Sequence, residues 1–152
     1  MTAPKRILLV DDSPQDTELA LDALEKQHLA SEVDAVRDGA EALDYLLRRG
    51  TFTARLDGNP AVVLLDLKMP RVSGIEVLRR IRSDPALKLI PVVIMTSSRE
   101  EHDLINCYQI GANAYVVKPV NFHAFVTAVT QVGGFWAALN VPPPGSVSRA
   151  VS

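Results

Sequence analysis

The sequence predicts an α/β fold, a doubly wound five-stranded parallel sheet with helices on both faces, and three observations carry that prediction. Short apolar runs ending in turn or acidic residues alternate with longer segments of helical period, and five such units can be counted. Two of the runs, Ala61-Val-Val-Leu-Leu and Val92-Val-Ile-Met, lack polar alternation, so both of their faces should be covered, as in central strands. Four strand ends carry acidic, hydroxyl or lysine residues, and in an open parallel sheet those ends share the edge that hosts the site.

The first strand runs from Arg6 to Val10 and ends at Asp11-Asp12. A helix follows from Pro14 to about His28, with Ser13 as N-cap before a proline at the first helical position and Ala20, Leu21 and Leu24 facing inward. The second strand, Glu32 to Val36, is more polar and suits a sheet edge. The helix Gly39 to Arg49 then leads into a long loop from Gly50 to Pro60, marked by Gly50, Gly58, Asn59 and Pro60. Strand three is Ala61 to Leu65, and the helix Ser73 to Ser83 turns Val77, Leu78 and Ile81 inward. Strand four is Pro91 to Met95, and the helix Arg99 to Ile110 sets Leu104, Cys107, Tyr108 and Gly111 on one face, which assigns Cys107 to packing. Strand five, Ala114 to Val117, precedes a helix that Asn121 can cap and that starts at Phe122. Its apolar face is Phe122, Phe125, Val126, Val129 and Val132, and Gly133-Gly134 should kink or end it before Phe135-Trp136-Ala137-Ala138-Leu139. Residues 1–140 are thus expected to form a single domain with an extended last helix, and residues 141–152, opening on Pro142-Pro143-Pro144-Gly145-Ser146, a flexible tail.

Composition narrows the function. A balance of 16 basic against 18 acidic residues shows no electrostatic footprint for nucleic acid or anionic lipid, so binding to either is disfavoured. The Ile7–Val10 run is far too short to span a bilayer, and a cytoplasmic location is expected. A single cysteine excludes an intramolecular disulfide and a thiolate metal cluster.

The strand ends carry the chemistry. Asp11, Asp12 and Asp66 brought together repel one another unless a cation neutralises them, and hard oxygen ligands of this kind suit Mg²⁺. A carboxylate beside such a metal can act as nucleophile toward phosphorus, while the metal and a lysine offset charge on the phosphoryl oxygens; Asp66 and Lys118 fit those roles. Thr96 supplies a hydroxyl able to sense the modification. Singly, each is an ordinary turn former, cap or surface charge; the four ends taken together make the case.

Val10-Asp11-Asp12-Ser13, Leu65-Asp66-Leu67-Lys68-Met69-Pro70 with Gly74, Met95-Thr96-Ser97, and Ala114-Tyr115-Val116-Val117-Lys118-Pro119 resemble the receiver domains of two-component response regulators, in order and spacing, over about Lys5 to Thr130. The resemblance implies a flavodoxin-like strand order 2-1-3-4-5, Asp11 and Asp12 as the acidic Mg²⁺ pair and Asp66 as phosphoacceptor. It also implies the Lys68 backbone carbonyl as a further metal ligand, Lys118 as the phosphate-binding lysine, Thr96 with Tyr115 as switch pair, and a cis Lys118-Pro119 peptide. The donor it implies is a sensor histidine kinase, and a histidine phosphotransfer protein is a possible recipient. Such a chain is a phosphoacceptor signalling domain rather than a turnover enzyme.

Two features depart from a minimal receiver. Exposed Phe135, Trp136 and Leu139 are costly on a monomer, so they are expected to pack against a second copy or fold back on the domain. The long loop before the third strand, this aromatic extension and the Pro-rich end resemble stand-alone regulators found with bacterial and cyanobacterial phytochrome kinases. Competing readings fare worse. FMN binding needs a hydroxyl- and glycine-rich phosphate loop where Asp11-Asp12 stand. A phosphate-ester hydrolase needs a second carboxylate shortly after the nucleophile, where Lys68 stands. A degenerate adaptor has no use for the complete acidic, hydroxyl and lysine set, and no DNA-binding module follows the fifth helix.

Overall fold

The computed structural model describes residues 6–28, 33–55 and 58–146. Five parallel strands, β1 (Ile7–Val10), β2 (Val33–Val36), β3 (Val62–Leu65), β4 (Val92–Thr96) and β5 (Ala114–Val117), form one sheet in the order β2-β1-β3-β4-β5. Each is followed by a helix: α1 (Pro14–Lys26), α2 (Gly39–Leu46), α3 (Gly74–Ser83), α4 (Glu101–Ile110) and α5 (Phe122–Gly133). The runs without alternation are indeed buried on both faces. Ile7, Leu9, Val62, Leu64, Val93 and Met95 meet α1 and α5 on one side, while Leu8, Val10, Val63, Leu65, Val92 and Ile94 meet α2, α3 and α4 on the other. The polar second strand takes the edge, where Asp34 Oδ2 accepts from Arg6 Nη1 and from the Tyr45 hydroxyl, each at 2.6 Å.

Local signals explain the helix starts. Ser13 Oγ accepts from the Asp16 N–H, Asp38 from Glu41, Ser73 from Glu76 and Asn121 from Ala124, each giving a first-turn donor a side-chain oxygen. Inward stripes differ in detail from the periodicity. In α1 Ala23 is buried with Ala20 and Leu24, and Leu21 is only partly covered. In α4 Cys107 alone is fully buried; Leu104 and Tyr108 are exposed, because the helix touches the sheet over a narrow stripe. Burial pushes the Cys107 thiol up to about 11, consistent with a packing role.

Three further differences have physical causes. Helix α2 stops at Leu46 rather than Arg49, because Arg48 adopts a positive φ of 53°, and a 3₁₀ turn at Gly50–Phe52 opens the following loop. The glycine pair neither kinks nor ends the last helix. Gly133 and Gly134 both hold helical φ of −61°, and the chain continues as a π-helical turn, Gly134–Leu139. The expected flexible tail is tied down through Ser146: the Asn59 N–H donates to the Gly145 carbonyl at 2.9 Å, and Asn59 bridges Ser146. Residues 147–152 of that tail, and Glu32 of the expected second strand, lie outside the described residues.

Phe122–Leu139 is 18 residues without Asp, Glu, Lys or Arg, long and apolar enough by composition to cross a membrane. Its Phe125, Val129, Gly133 and Ala137 are buried, and three of these pack with Ala20, Ala23 and Leu24 of α1, so it forms a wall of the core.

Candidate functional site

The parallel register brings four strand ends level. Val10 pairs Leu65, Leu65 pairs Ile94 and Thr96 pairs Val117, so Asp11, Asp66, Thr96 and Lys118 gather at the C-terminal edge. Backbone bonds hold them there. The Asp66 N–H donates to the Val10 carbonyl at 3.0 Å and the Lys118 N–H to the Thr96 carbonyl at 2.7 Å.

The Lys118 ammonium is the hub. Its Nζ donates to Asp11 Oδ2 at 2.7 Å, Asp16 Oδ2 at 2.9 Å and Asp66 Oδ2 at 3.1 Å. The second oxygens of two of these carboxylates are held by backbone: Asp11 Oδ1 accepts from the Ser13 N–H at 2.9 Å, and Asp66 Oδ1 from the Leu67 N–H at 2.8 Å. Asp11 and Asp66 are buried; Asp12 is exposed at the mouth. Carboxylate oxygens of Asp11, Asp12 and Asp66 all lie within 4.8 Å of one another, so this donor set fits a small divalent cation with oxygen ligands. Lys68 is exposed on the turn between β3 and α3, two residues past Asp66.

Charge and burial oppose each other here. Burial raises the Asp11 carboxyl, hydrogen bonds from Lys118 and Ser13 pull it back, and Asp66 pushes it up again, leaving it above the ordinary aspartate range. For Lys118 burial disfavours the ammonium, but its bonds to Asp11 and Asp16 and the charge of Asp66 outweigh that and hold it above the ordinary lysine range. A cation takes the deprotonated carboxylate, so a raised Asp11 makes protons compete earlier. Divalent-cation affinity, measured by calorimetric titration, is expected to weaken roughly tenfold between about pH 7.5 and about pH 5. A pH-independent affinity over that range would contradict this.

Two glycines let backbones close around the site. A Cβ on Gly74 would stand 2.0 Å from the Asp66 carbonyl oxygen, and one on Gly39 2.1 Å from the Val72 carbonyl oxygen. The α2 N-terminus therefore presses on the β3–α3 loop, and Arg71, at a positive φ of 67°, pairs with Asp38 at 3.0 Å across the same contact.

Thr96 and Tyr115 meet through Ser98. Buried Thr96 Oγ1 accepts from the Ser98 N–H at 3.2 Å, and the Tyr115 hydroxyl donates to the Ser98 carbonyl at 3.2 Å. Ser98 Oγ in turn donates to Asp103 Oδ2 at 2.6 Å. Among the described residues no peptide is cis, so the Lys118-Pro119 bond is trans, contrary to expectation. Lys118 reaches its three carboxylates from the trans form, which is also the intrinsically favoured one.

Asp16 and Asp103 are the site residues that strand-end reasoning missed, since both sit on helices. The signal for Asp16 was present: Ser13 as N-cap puts Asp16 in the first turn of α1, directly over the sheet edge. Phe135, Trp136 and Leu139 are elsewhere, on the π-helical turn beyond α5. Trp136 folds back on the core and meets Phe135 edge-on at 5.0 Å between ring centroids, while Phe135 and Leu139 stay exposed, Leu139 at 74%.

A parallel sheet with this acid–lysine edge defines a receiver-type domain. The family model for the response regulator receiver domain matches residues 7–130, and the chain belongs to that family. Response regulator Rcp1 of Synechocystis sp. (strain PCC 6803) is 37% identical over 133 residues, covering 88% of this chain and 89% of Rcp1. A solved Mn²⁺-bound form of Rcp1 superposes with TM-score 0.84 at 35% identity, covering 92% of this chain and 99% of that one. The phosphorylated cyanobacterial phytochrome response regulator RcpA gives TM-score 0.87 at 38% identity, with coverage of 93% and 99%. The bacteriophytochrome response regulator RtBRR is 60% identical, with TM-score 0.72 and coverage of 93% and 86%. This chain is thus a single-receiver response regulator related to phytochrome response regulators.

Proposed function

We propose that this chain is a phosphorylation switch in which Asp66 accepts a phosphoryl group from phosphohistidine on a sensor histidine kinase. The observation that carries the reading is the Lys118 ammonium 3.1 Å from a buried Asp66 whose carboxylate is part of a three-carboxylate cluster. Asp11, Asp12, Asp66 and the Lys68 backbone carbonyl would hold Mg²⁺, which supplies charge neutralisation at the phosphoryl oxygens. An Asp66 oxygen forms the new bond to phosphorus as the phosphorus–nitrogen bond to histidine breaks, and the electron pair of that bond returns to the imidazole, which takes a proton. Lys118 offsets charge on the transferred group. The Thr96 hydroxyl then donates to a phosphoryl oxygen, which takes Thr96 Oγ1 away from the Ser98 N–H and repositions the Tyr115 hydroxyl on the same residue. Reversal is by water, as autodephosphorylation, with no other turnover chemistry.

The phosphorylated relative RcpA and the bacteriophytochrome relative RtBRR support a light-regulated kinase as donor. Output runs through protein contacts, or onward to a histidine phosphotransfer protein, in the cytoplasm, without nucleic acid or membrane. Labelled phosphoryl should pass from a phosphorylated phytochrome-type histidine kinase to the wild type and not to Asp66→Asn; transfer to both would refute the assignment of Asp66.

Exposed Phe135 and Leu139, with Trp136 beneath them, support a homodimer through this extension. Sedimentation is expected to show a dimer that Leu139→Asp disrupts, a change that leaves the core alone; a wild-type monomer at high concentration would sink the idea.

A further inference from the structure

Asp16 stands apart from the carboxylates that converge on the cation position. Asp11, Asp12 and Asp66 form that cluster, whereas Asp16 approaches the Lys118 ammonium from α1 at 2.9 Å, with its side chain 32% exposed. An ammonium has three N–H donors. In this structure Asp11, Asp16 and Asp66 take them.

Phosphoryl transfer changes two of those three partners. Once Asp66 carries a phosphoryl ester it no longer holds a full negative charge, and once Asp11 ligates a cation its charge is shared. Asp16 is affected by neither event. We propose that Asp16 is a positioning residue for Lys118, the carboxylate that keeps hold of the ammonium while its other N–H bonds turn from Asp66 to the phosphoryl oxygens. The inference rests on the reading of Asp66 as phosphoacceptor.

The surrounding geometry suits that task. The Asp16 N–H is fixed on Ser13 Oγ at 3.2 Å in a helix that opens with Pro14, so its carboxylate comes from a rigid first turn. Lys118 is anchored at its own backbone by the 2.7 Å bond to Thr96. Asp16 and Lys118 also border a cavity of about 280 Å³ walled in part by Leu19, Pro119, Val120 and Phe125. Apolar walls strengthen the pair relative to one in open water. A lysine side chain has four rotatable carbons and no fork to orient it, so a fixed anion on the side away from the phosphoryl group restricts where its charge can go.

Asp16→Asn and Asp16→Ala separate loss of charge from loss of contact, and both leave the backbone cap intact. With Mg²⁺ and acetyl phosphate, the wild type should gain one phosphoryl group and each variant should do so with a maximal rate lowered roughly tenfold, while the Mg²⁺ dissociation constant moves less than twofold. The Lys118 ammonium resonance, protected from solvent exchange in the wild type, should broaden or vanish in both variants. Glu18→Gln, which removes an exposed charge from the same helix, should change neither readout. Wild-type rates in both Asp16 variants, or an equal fall in Glu18→Gln, would overturn the inference while leaving Asp66 as acceptor. A wild type that gains no phosphoryl group would instead remove the reading beneath it.

Discussion

Lys118→Ala is expected to lose phosphorylation by acetyl phosphate by two orders of magnitude or more and to melt about 10 °C below the wild type in the absence of divalent cation. The side chain is 9% exposed and its partners Asp11 and Asp66 are 7% and 11% exposed, so removing the ammonium leaves a nest of desolvated carboxylates with no cation. Breaking a buried pair by deleting one member costs about 3 kcal/mol or more, far beyond a surface pair. Two dependences identify the cause. Saturating Mg²⁺ should recover much of the lost stability, because it neutralises the same carboxylates. Acid should narrow the gap as well: the Lys118 contribution is full at neutral pH, since its folded pKa is raised, but its anionic partners protonate as pH falls. A Lys118→Ala protein as stable as the wild type at neutral pH without metal would show that the nest does not bear on folding.

Gly74→Ala should be nearly as damaging although it adds one methyl. Its φ lies outside the left-handed region, so backbone strain is not the reason. The reason is room: the new Cβ would stand 2.0 Å from the Asp66 carbonyl oxygen and 2.7 Å from the Leu67 Cα, neither of which is a flexible side-chain end. Relief must come from moving α3 or the strand end that carries Asp66. Overpacking of this kind costs about 3 kcal/mol, a fall of about 10 °C in Tm, and the displaced carboxylate should accept phosphoryl groups at least tenfold more slowly. Thermal melting and acetyl phosphate kinetics of the purified variant check both; wild-type values for each would mean that the close approach is relaxed in solution.

Much of this architecture can be read from residue patterns because burial on two faces leaves a plain mark. Val62–Leu65 and Val92–Met95 carry no polar residue and occupy the middle of the sheet, and Asp34 marks β2 as an edge. Site residues at strand ends were legible for a related reason, since parallel strands deliver their C-termini to one edge. What escaped depends on three-dimensional closeness rather than on pattern. Asp16 reaches Lys118 across 102 positions of sequence, and its acidic neighbours in α1 look no different. The Ser98 carbonyl links Thr96 to Tyr115 by backbone, which leaves no residue signature. Gly133-Gly134 was read as a break, yet α1 packs against this stretch: Gln27 comes within 3.6 Å of where a Gly134 Cβ would be, so small residues serve close helix approach there. The trans Lys118-Pro119 bond likewise follows from contacts around Lys118 and not from the dipeptide.

The most direct test is intact-mass measurement after incubation with Mg²⁺ and acetyl phosphate, beside Asp66→Asn and a metal-free control. One added phosphoryl group on the wild type alone is the predicted result. No addition to the wild type, or equal addition to Asp66→Asn, would contradict the assignment of Asp66 as the switch.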